Sequence, residues 1–219
     1  SSLTNPEINI SASATCMAKF ERMFQDIGDP FERLKFRLAA YNAGPWHIRD
    51  AMALTRQHGK NPHRWDIGKG YLYTLKSELV ANGKVVDEVT TTTGFRDVRF
   101  DAKKGFFLNG KNIKINGVCE HHDFGCLGAA LNEDAMHRKL TILRDMGVNA
   151  IRSCHNPPAP ELLNMCDSMG ILVMDESFDM WRRKKSNGDY ARFFDEWHQR
   201  DLSDLVKRDR NHPSIIMWS

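Results

Sequence analysis

Gly170-Ile171-Leu172-Val173-Met174-Asp175-Glu176 places four consecutive apolar residues between a glycine and two carboxylates. So short an apolar run after a glycine predicts a strand buried on both faces, as parallel sheets require. Pro160 to Met169, just before it, predicts a helix, with Pro160 in its first turn and Gly170 past its end. Upstream, Val148 to Arg152 predicts another strand, and Glu133 to Met146 a helix with Met136, Leu140 and Leu143 on one face. Ile115-Asn116-Gly117-Val118 predicts the first strand of the series. Downstream, Phe193 to Arg208 reads as a long helix and Ser214 to Trp218 as the fourth strand. Strands alternating with helices predict a parallel α/β sheet or barrel. Four strands are too few to close a (β/α)₈ barrel.

The pattern before this segment is different. Tyr71, Tyr73 and Leu75 alternate with Leu72, Thr74 and Lys76, and Asn82-Gly83 then precedes Val85-Val86. That is strand, tight turn, strand. A second Asn-Gly turn, Asn109-Gly110, separates Phe106-Phe107-Leu108 from Ile113 and Ile115. Residues 69–104 therefore form a short antiparallel β segment. Residues 1–68 read as all helix. Ile10, Ala14, Met17, Phe20, Phe24 and Ile27 make one apolar stripe that Gly28 ends, and Asp29-Pro30-Phe31-Glu32 carries the signals of a new helix start. A third helix is expected from about Trp46 to His58, capped by Gly59.

Composition excludes some classes of function. The 31 basic and 28 acidic side chains leave a net charge of +3, too small to argue for nucleic acid. No apolar run reaches the roughly 20 residues that a membrane span needs. Ser1-Ser2-Leu3-Thr4-Asn5 does not read as an intact signal peptide. The five cysteines form no Cys-x-x-Cys pair and are expected to be mostly buried free thiols.

Polar residues gather where the parallel strands end. Glu120-His121-His122-Asp123 follows the first strand, Arg152-Ser153-Cys154-His155-Asn156-Pro157 the second, and Asp175-Glu176 the third. Loops at that end of a parallel sheet converge, so these groups, His121, His155, Asp175 and Glu176 among them, face one candidate site. His121, Asp123, His155 and Glu176 have metal-ligand chemistry, yet no tight ligand spacing such as His-Glu-x-x-His, and no Gly-rich phosphate loop follows a strand. Neither a metal nor another cofactor is expected.

These motifs carry a resemblance. Phe107-Leu108-Asn109-Gly110-Lys111 leading into Ile115-Asn116-Gly117-Val118-Cys119-Glu120-His121 resembles the entry to the catalytic barrel of glycoside hydrolase family 2, which includes β-galactosidases and β-glucuronidases. Met146-Gly147-Val148-Asn149-Ala150-Ile151-Arg152-Ser153-Cys154-His155-Asn156-Pro157 resembles its second strand, with Cys154 where Ser is usual and Asn156 where Tyr is common. Gly170 to Glu176 resembles its third strand and Arg208 to Ser219 its fourth. The resemblance covers roughly residues 70–219, with 69–104 as the tail of the preceding β-sandwich and 105–219 as the first half, about four strands, of a (β/α)₈ TIM barrel. It implies retaining hydrolysis by two glutamates, a β-galactoside-like carbohydrate partner, and His121 and His155 on sugar hydroxyls, with Asp175 and Glu176 bracing the barrel mouth. The family's acid/base glutamate follows its Trp-Ser within a few residues and its nucleophile lies on a later strand. Both are expected to be missing from a chain that stops at Ser219, leaving it inactive alone. An open fourth-strand edge is expected to favour self-association.

Residues 3–68 resemble a different family. Ala39-Ala40-Tyr41-Asn42-Ala43-Gly44, with Asn5 to Ile10 upstream and Asn61-Pro62-His63-Arg64-Trp65 downstream, is similar to the C-terminal part of a lytic transglycosylase catalytic domain. This resemblance implies a lysozyme-like helical fold, peptidoglycan as partner, and Tyr41 and Asn42 lining the cleft. That family's catalytic glutamate sits in a Glu-Ser pair, and no such pair occurs in the helical part. Both resemblances place the protein in a bacterial periplasm or outside the cell. Two partial domains in one chain read as a chimera or a truncated frame, with a non-catalytic carbohydrate-binding module as the alternative.

Overall fold

The computed structural model describes residues 63–219, and His63 to Ser219 form one compact unit. The expected helices before residue 63, with Tyr41, Asn42 and Cys16, lie outside the described residues. The first described elements are a hairpin and a three-stranded antiparallel sheet, and Asn-Gly makes the turn of the first and one of the two turns of the second. β1 (Tyr73–Ala81) pairs antiparallel with β2 (Lys84–Thr93). β3 (Val98–Asp101), β4 (Gly105–Leu108) and β5 (Lys111–Ile113) make a three-stranded antiparallel sheet. Asn82 and Gly83 have φ of 51° and 74°, and Asn109 and Gly110 have 52° and 80°. Two successive positive φ values make a type I′ turn, whose twist suits a two-residue hairpin.

The rest is strand–helix alternation. β6 (Gly117–Glu120), β7 (Ala150–Ser153), β8 (Leu172–Asp175) and β9 (Ile215–Trp218) form one parallel sheet in that order. α1 (Glu133–Asp145) follows β6, α2 (Pro160–Met169) follows β7, and α3 (Ala191–Asp209) follows β8. Asn132 caps α1 by accepting from the Ala135 N–H at 2.9 Å. Gly170 ends α2 at φ 69°, where a Cβ would stand 2.4 Å from the Gly68 nitrogen. β6 begins two residues later than its apolar run predicts. The reason is Asn149, whose side chain accepts from the Asn116 N–H at 2.8 Å and donates to the Lys114 carbonyl at 2.9 Å. Its backbone N–H also donates to the Asn116 carbonyl at 3.0 Å, so Asn149 ties the lead-in to the start of β7.

Two cores lie on opposite sides of the parallel strands. Ile151, Val173 and Ile215 face Met136, Leu140, Leu162, Leu163, Cys166 and Met169 of the helices. Ala150 and Leu172, one residue earlier in their strands, face Trp65, Phe106 and Leu108. The period of two along a strand enforces this division. Trp65, quoted above beside the helical part, is wholly buried here, and its indole N–H donates to the Asp167 carbonyl at 2.7 Å. The Asp167 carboxylate in turn accepts from the Ser214 N–H at 3.0 Å and meets His212 Nδ1 at 2.6 Å. Thus α2 fastens Trp65 on one side and the start of β9 on the other. Arg96 reinforces that corner by donating to the carbonyls of Pro213 and Ile215. Ile215, expected on an open edge, is buried, whereas Trp218 is exposed.

Candidate functional site

β6, β7 and β8 all end on one rim, and each delivers ionisable groups there. Glu120, the last residue of β6, is buried and takes a bond of 2.6 Å from Lys139 of α1. The same ammonium reaches the Asp123 carbonyl at 3.1 Å, so one lysine shapes the loop that carries His121. At the end of β7, Arg152 donates from Nε to Glu176 Oε1 at 2.6 Å. His155 Nδ1 lies 3.2 Å from Glu176 Oε2 and 3.2 Å from Arg152 NH2. The Glu176 backbone N–H donates to Ser153 Oγ at 2.9 Å, which locks the end of β8 to β7. His121 and His155 meet edge to face, with ring centroids 5.4 Å apart.

The structure thus brings His121, His155 and Glu176 together. Asp175 does not join them. It is wholly buried and points to the helix side, beside Asp209 of α3, while Glu176 points to the rim. Burial and the neighbouring Asp209 carboxylate push Asp175 up to about 7, against the opposing pull of Arg208 and His212. Arg208 itself is held by both oxygens of Asp209 at 2.6 Å. The two adjacent carboxylates therefore have separate tasks, one at the rim and one in the wall behind it.

Sequence reading missed two features. Beside His155, an open cleft of about 480 Å³ runs between Asn156-Pro157 and Ser177-Phe178-Asp179-Met180, bounded by Tyr190 and Asp201. Tyr190 stacks on Phe178 at 5.1 Å and donates its hydroxyl to Asp201. Burial first, and then Asp201, pushes the Tyr190 phenol up to about 12. A face of aromatic carbon edged by hydroxyl and carboxylate suits a sugar ring, apolar on one side and polar around its edge. No sequence signal links Tyr190 to a strand end, since it arrives from the loop before α3. The second feature is the thiols. Cys154 and Cys166 are buried as expected, whereas Cys119 and Cys126 are exposed, and these four are free. Burial and the adjoining Cys119 thiol push Cys154 up to about 11.

The family model for the TIM barrel domain of glycosyl hydrolases family 2 matches residues 99–219, more than half of the chain. The chain belongs to glycosyl hydrolase family 2. A second family 2 model matches residues 42–96, and the transglycosylase SLT domain model matches residues 1–63. The family 2 relatives include the β-galactosidase BoGH2A of Bacteroides ovatus, 60% identical over 160 residues, or 73% of this chain and 19% of the relative. A putative β-glucuronidase of Formosa agariphila is 47% identical over 73% of this chain and 16% of its own length. Among solved structures, a β-glycosidase from Bacteroides vulgatus superposes with a TM-score of 0.71 at 48% identity, covering 73% of this chain and 21% of that one. The chain therefore spans about a fifth of the length of these family 2 relatives.

Proposed function

We propose that residues 117–219 form a sugar-contacting wall of a retaining β-glycosidase that takes β-galactoside-like substrates. The observation that carries this reading is the convergence of His121, His155 and Glu176 from the ends of three parallel strands. Glu176 orients the His155 ring, both imidazoles can exchange hydrogen bonds with hydroxyls, and the cleft beside them offers Phe178 and Tyr190 as a platform. The choice of a galactoside rests on the β-galactosidase that is 60% identical over 160 residues.

Retaining hydrolysis needs a proton donor and a nucleophilic carboxylate about 5–5.5 Å apart on either side of the glycosidic bond. Among the described residues, the carboxylates of the rim and cleft are engaged by neighbours, Asp179 by Lys185 and Asp201 by Tyr190 in the cleft. Glu120 is paired with Lys139 and Glu176 with Arg152, each at 2.6 Å, and Asp175 faces the helices. The 219-residue polypeptide should hold sugar without cleaving it. Assay of an activated aryl β-galactoside should give flat traces for both the parent and Glu176→Gln. Turnover by the parent that disappears in Glu176→Gln would contradict this reading. A second reading, peptidoglycan cleavage, rests on the match of residues 1–63 to the transglycosylase SLT model. Its three glutamates, Glu7, Glu21 and Glu32, are followed by Ile8, Arg22 and Arg33 rather than by serine. Release of anhydro-muropeptides from cell-wall sacculi would establish that activity, and none is expected.

A further inference from the structure

One donor atom from each of His121, Cys154 and His155 lies within 4.8 Å of the other two. Two imidazoles and a thiol are the donors that suit zinc and its softer relatives. Magnesium and calcium need oxygen ligands instead. Bonds of about 2.0 Å to nitrogen and 2.3 Å to sulfur would put tetrahedral ligands roughly 3.5 Å apart. Closing the present cluster therefore takes a shift of about an ångström. His121 is exposed and free to make it, whereas Cys154 is buried and, with its chain neighbour His155, forms the fixed side of the site.

The surroundings fit as well. Metal-bound histidines commonly give their other ring nitrogen to a carboxylate, which sets the tautomer. Glu176 Oε2 lies 3.2 Å from His155 Nδ1, so a proton on Nδ1 would leave Nε2 as the ligand atom. Arg152 NH2 stands at the same distance from Nδ1 but can only donate, so it favours the other tautomer. A cation on Nε2 would decide between them in favour of Glu176.

We propose that His121, Cys154 and His155 form a binding site for a single thiophilic divalent cation of the zinc and cadmium class, with its fourth position open to solvent. No step of glycoside hydrolysis runs through it. If the sugar reading above is right, such an ion would occupy the space between the two imidazoles and exclude a sugar hydroxyl from it. The test uses no sugar, so failure of either idea is seen separately.

The experiment is a cadmium titration of the reduced full chain, followed by thiolate-to-metal charge-transfer absorbance. The parent should show a saturable component that Cys154→Ser lacks. His121→Gln, at an exposed position, should weaken that component about tenfold or more. Melting curves for each variant separate lost ligation from lost folding, and His121→Gln remains informative if Cys154→Ser does not fold. Cys119→Ser controls for the adjoining thiol. A saturable component of the same amplitude in Cys154→Ser as in the parent, one that His121→Gln leaves unchanged, or no band in the parent would each overturn the proposal.

Discussion

The β1–β2 hairpin and the β6–β9 sheet carry similar β-branched and apolar residues, yet one leaves them in water and the other buries them. Val80, Val85, Val86 and Val89 of the hairpin are 50–58% exposed. Leu172 and Val173 of β8 are 0% exposed, with a packed layer on each side. Strand pairing and a good turn are enough to draw a hairpin, but burial decides how much each residue contributes. The same mutation should therefore cost little in the first region and much in the second.

Trp65→Ala should give the largest effect. It removes a wholly buried indole from the inner core and leaves the Asp167 carbonyl without its donor, so a loss of about 3–5 kcal/mol is expected in chemical denaturation. Two glycines then sharpen the comparison directly. Gly170 and Gly83 have φ of 69° and 74°, nearly the same backbone. A Cβ at Gly170 would meet the Gly68 nitrogen at 2.4 Å, whereas one at Gly83 meets nothing within 4 Å. Gly170→Ala should cost about 3 kcal/mol or more, as strain and clash add, and Gly83→Ala about 1 kcal/mol from strain alone. Equal costs would mean that the α2 C-terminus is no better packed than the hairpin tip.

Asp175 gives the next effect, and it depends on pH. Its folded value is raised to about 7 from an ordinary 3.8, so the folded chain binds this proton more tightly than the unfolded chain does. Stability from this group is therefore present at low pH and falls as pH rises through about 4 to 7. Asp175→Asn should remove that slope. The variant should be about 1–3 kcal/mol more stable than the parent at pH 8 and close to it at pH 4, as melting curves across that range would read. A parent whose stability rises over that interval with no help from Asn would contradict the burial argument.

How far the sequence carried these features depends on what punctuates each one. Helix α2 agrees with its expected span because Pro160 and Gly170 bracket it, and the hairpins agree because Asn-Gly permits two positive φ values. The start of β6 was less legible, since its apolar run does not reveal that the Asn149 side chain takes up the Asn116 N–H before the regular ladder begins at Gly117. The opposite faces of Asp175 and Glu176 follow from strand periodicity, but the Asp209 partner comes from a helix more than 30 residues away. Trp65 carried no local mark of its role, because its core is assembled from β4, β7 and β8. The Tyr190 side of the cleft was hidden for the same reason. Chain order shows which strand ends share a rim, but not which distant loop closes over them.

The central claim is that His121 and His155 hold a sugar at the rim of the buried sheet. Its most direct measurement is titration calorimetry of methyl β-galactoside against the full chain and against His155→Ala, with melting curves for both. Losing a hydrogen bond to the sugar, and with it the ring that Glu176 orients, should weaken binding about tenfold or more while the melt changes little. Equal affinity in a folded His155→Ala, or no binding by the parent, would contradict it.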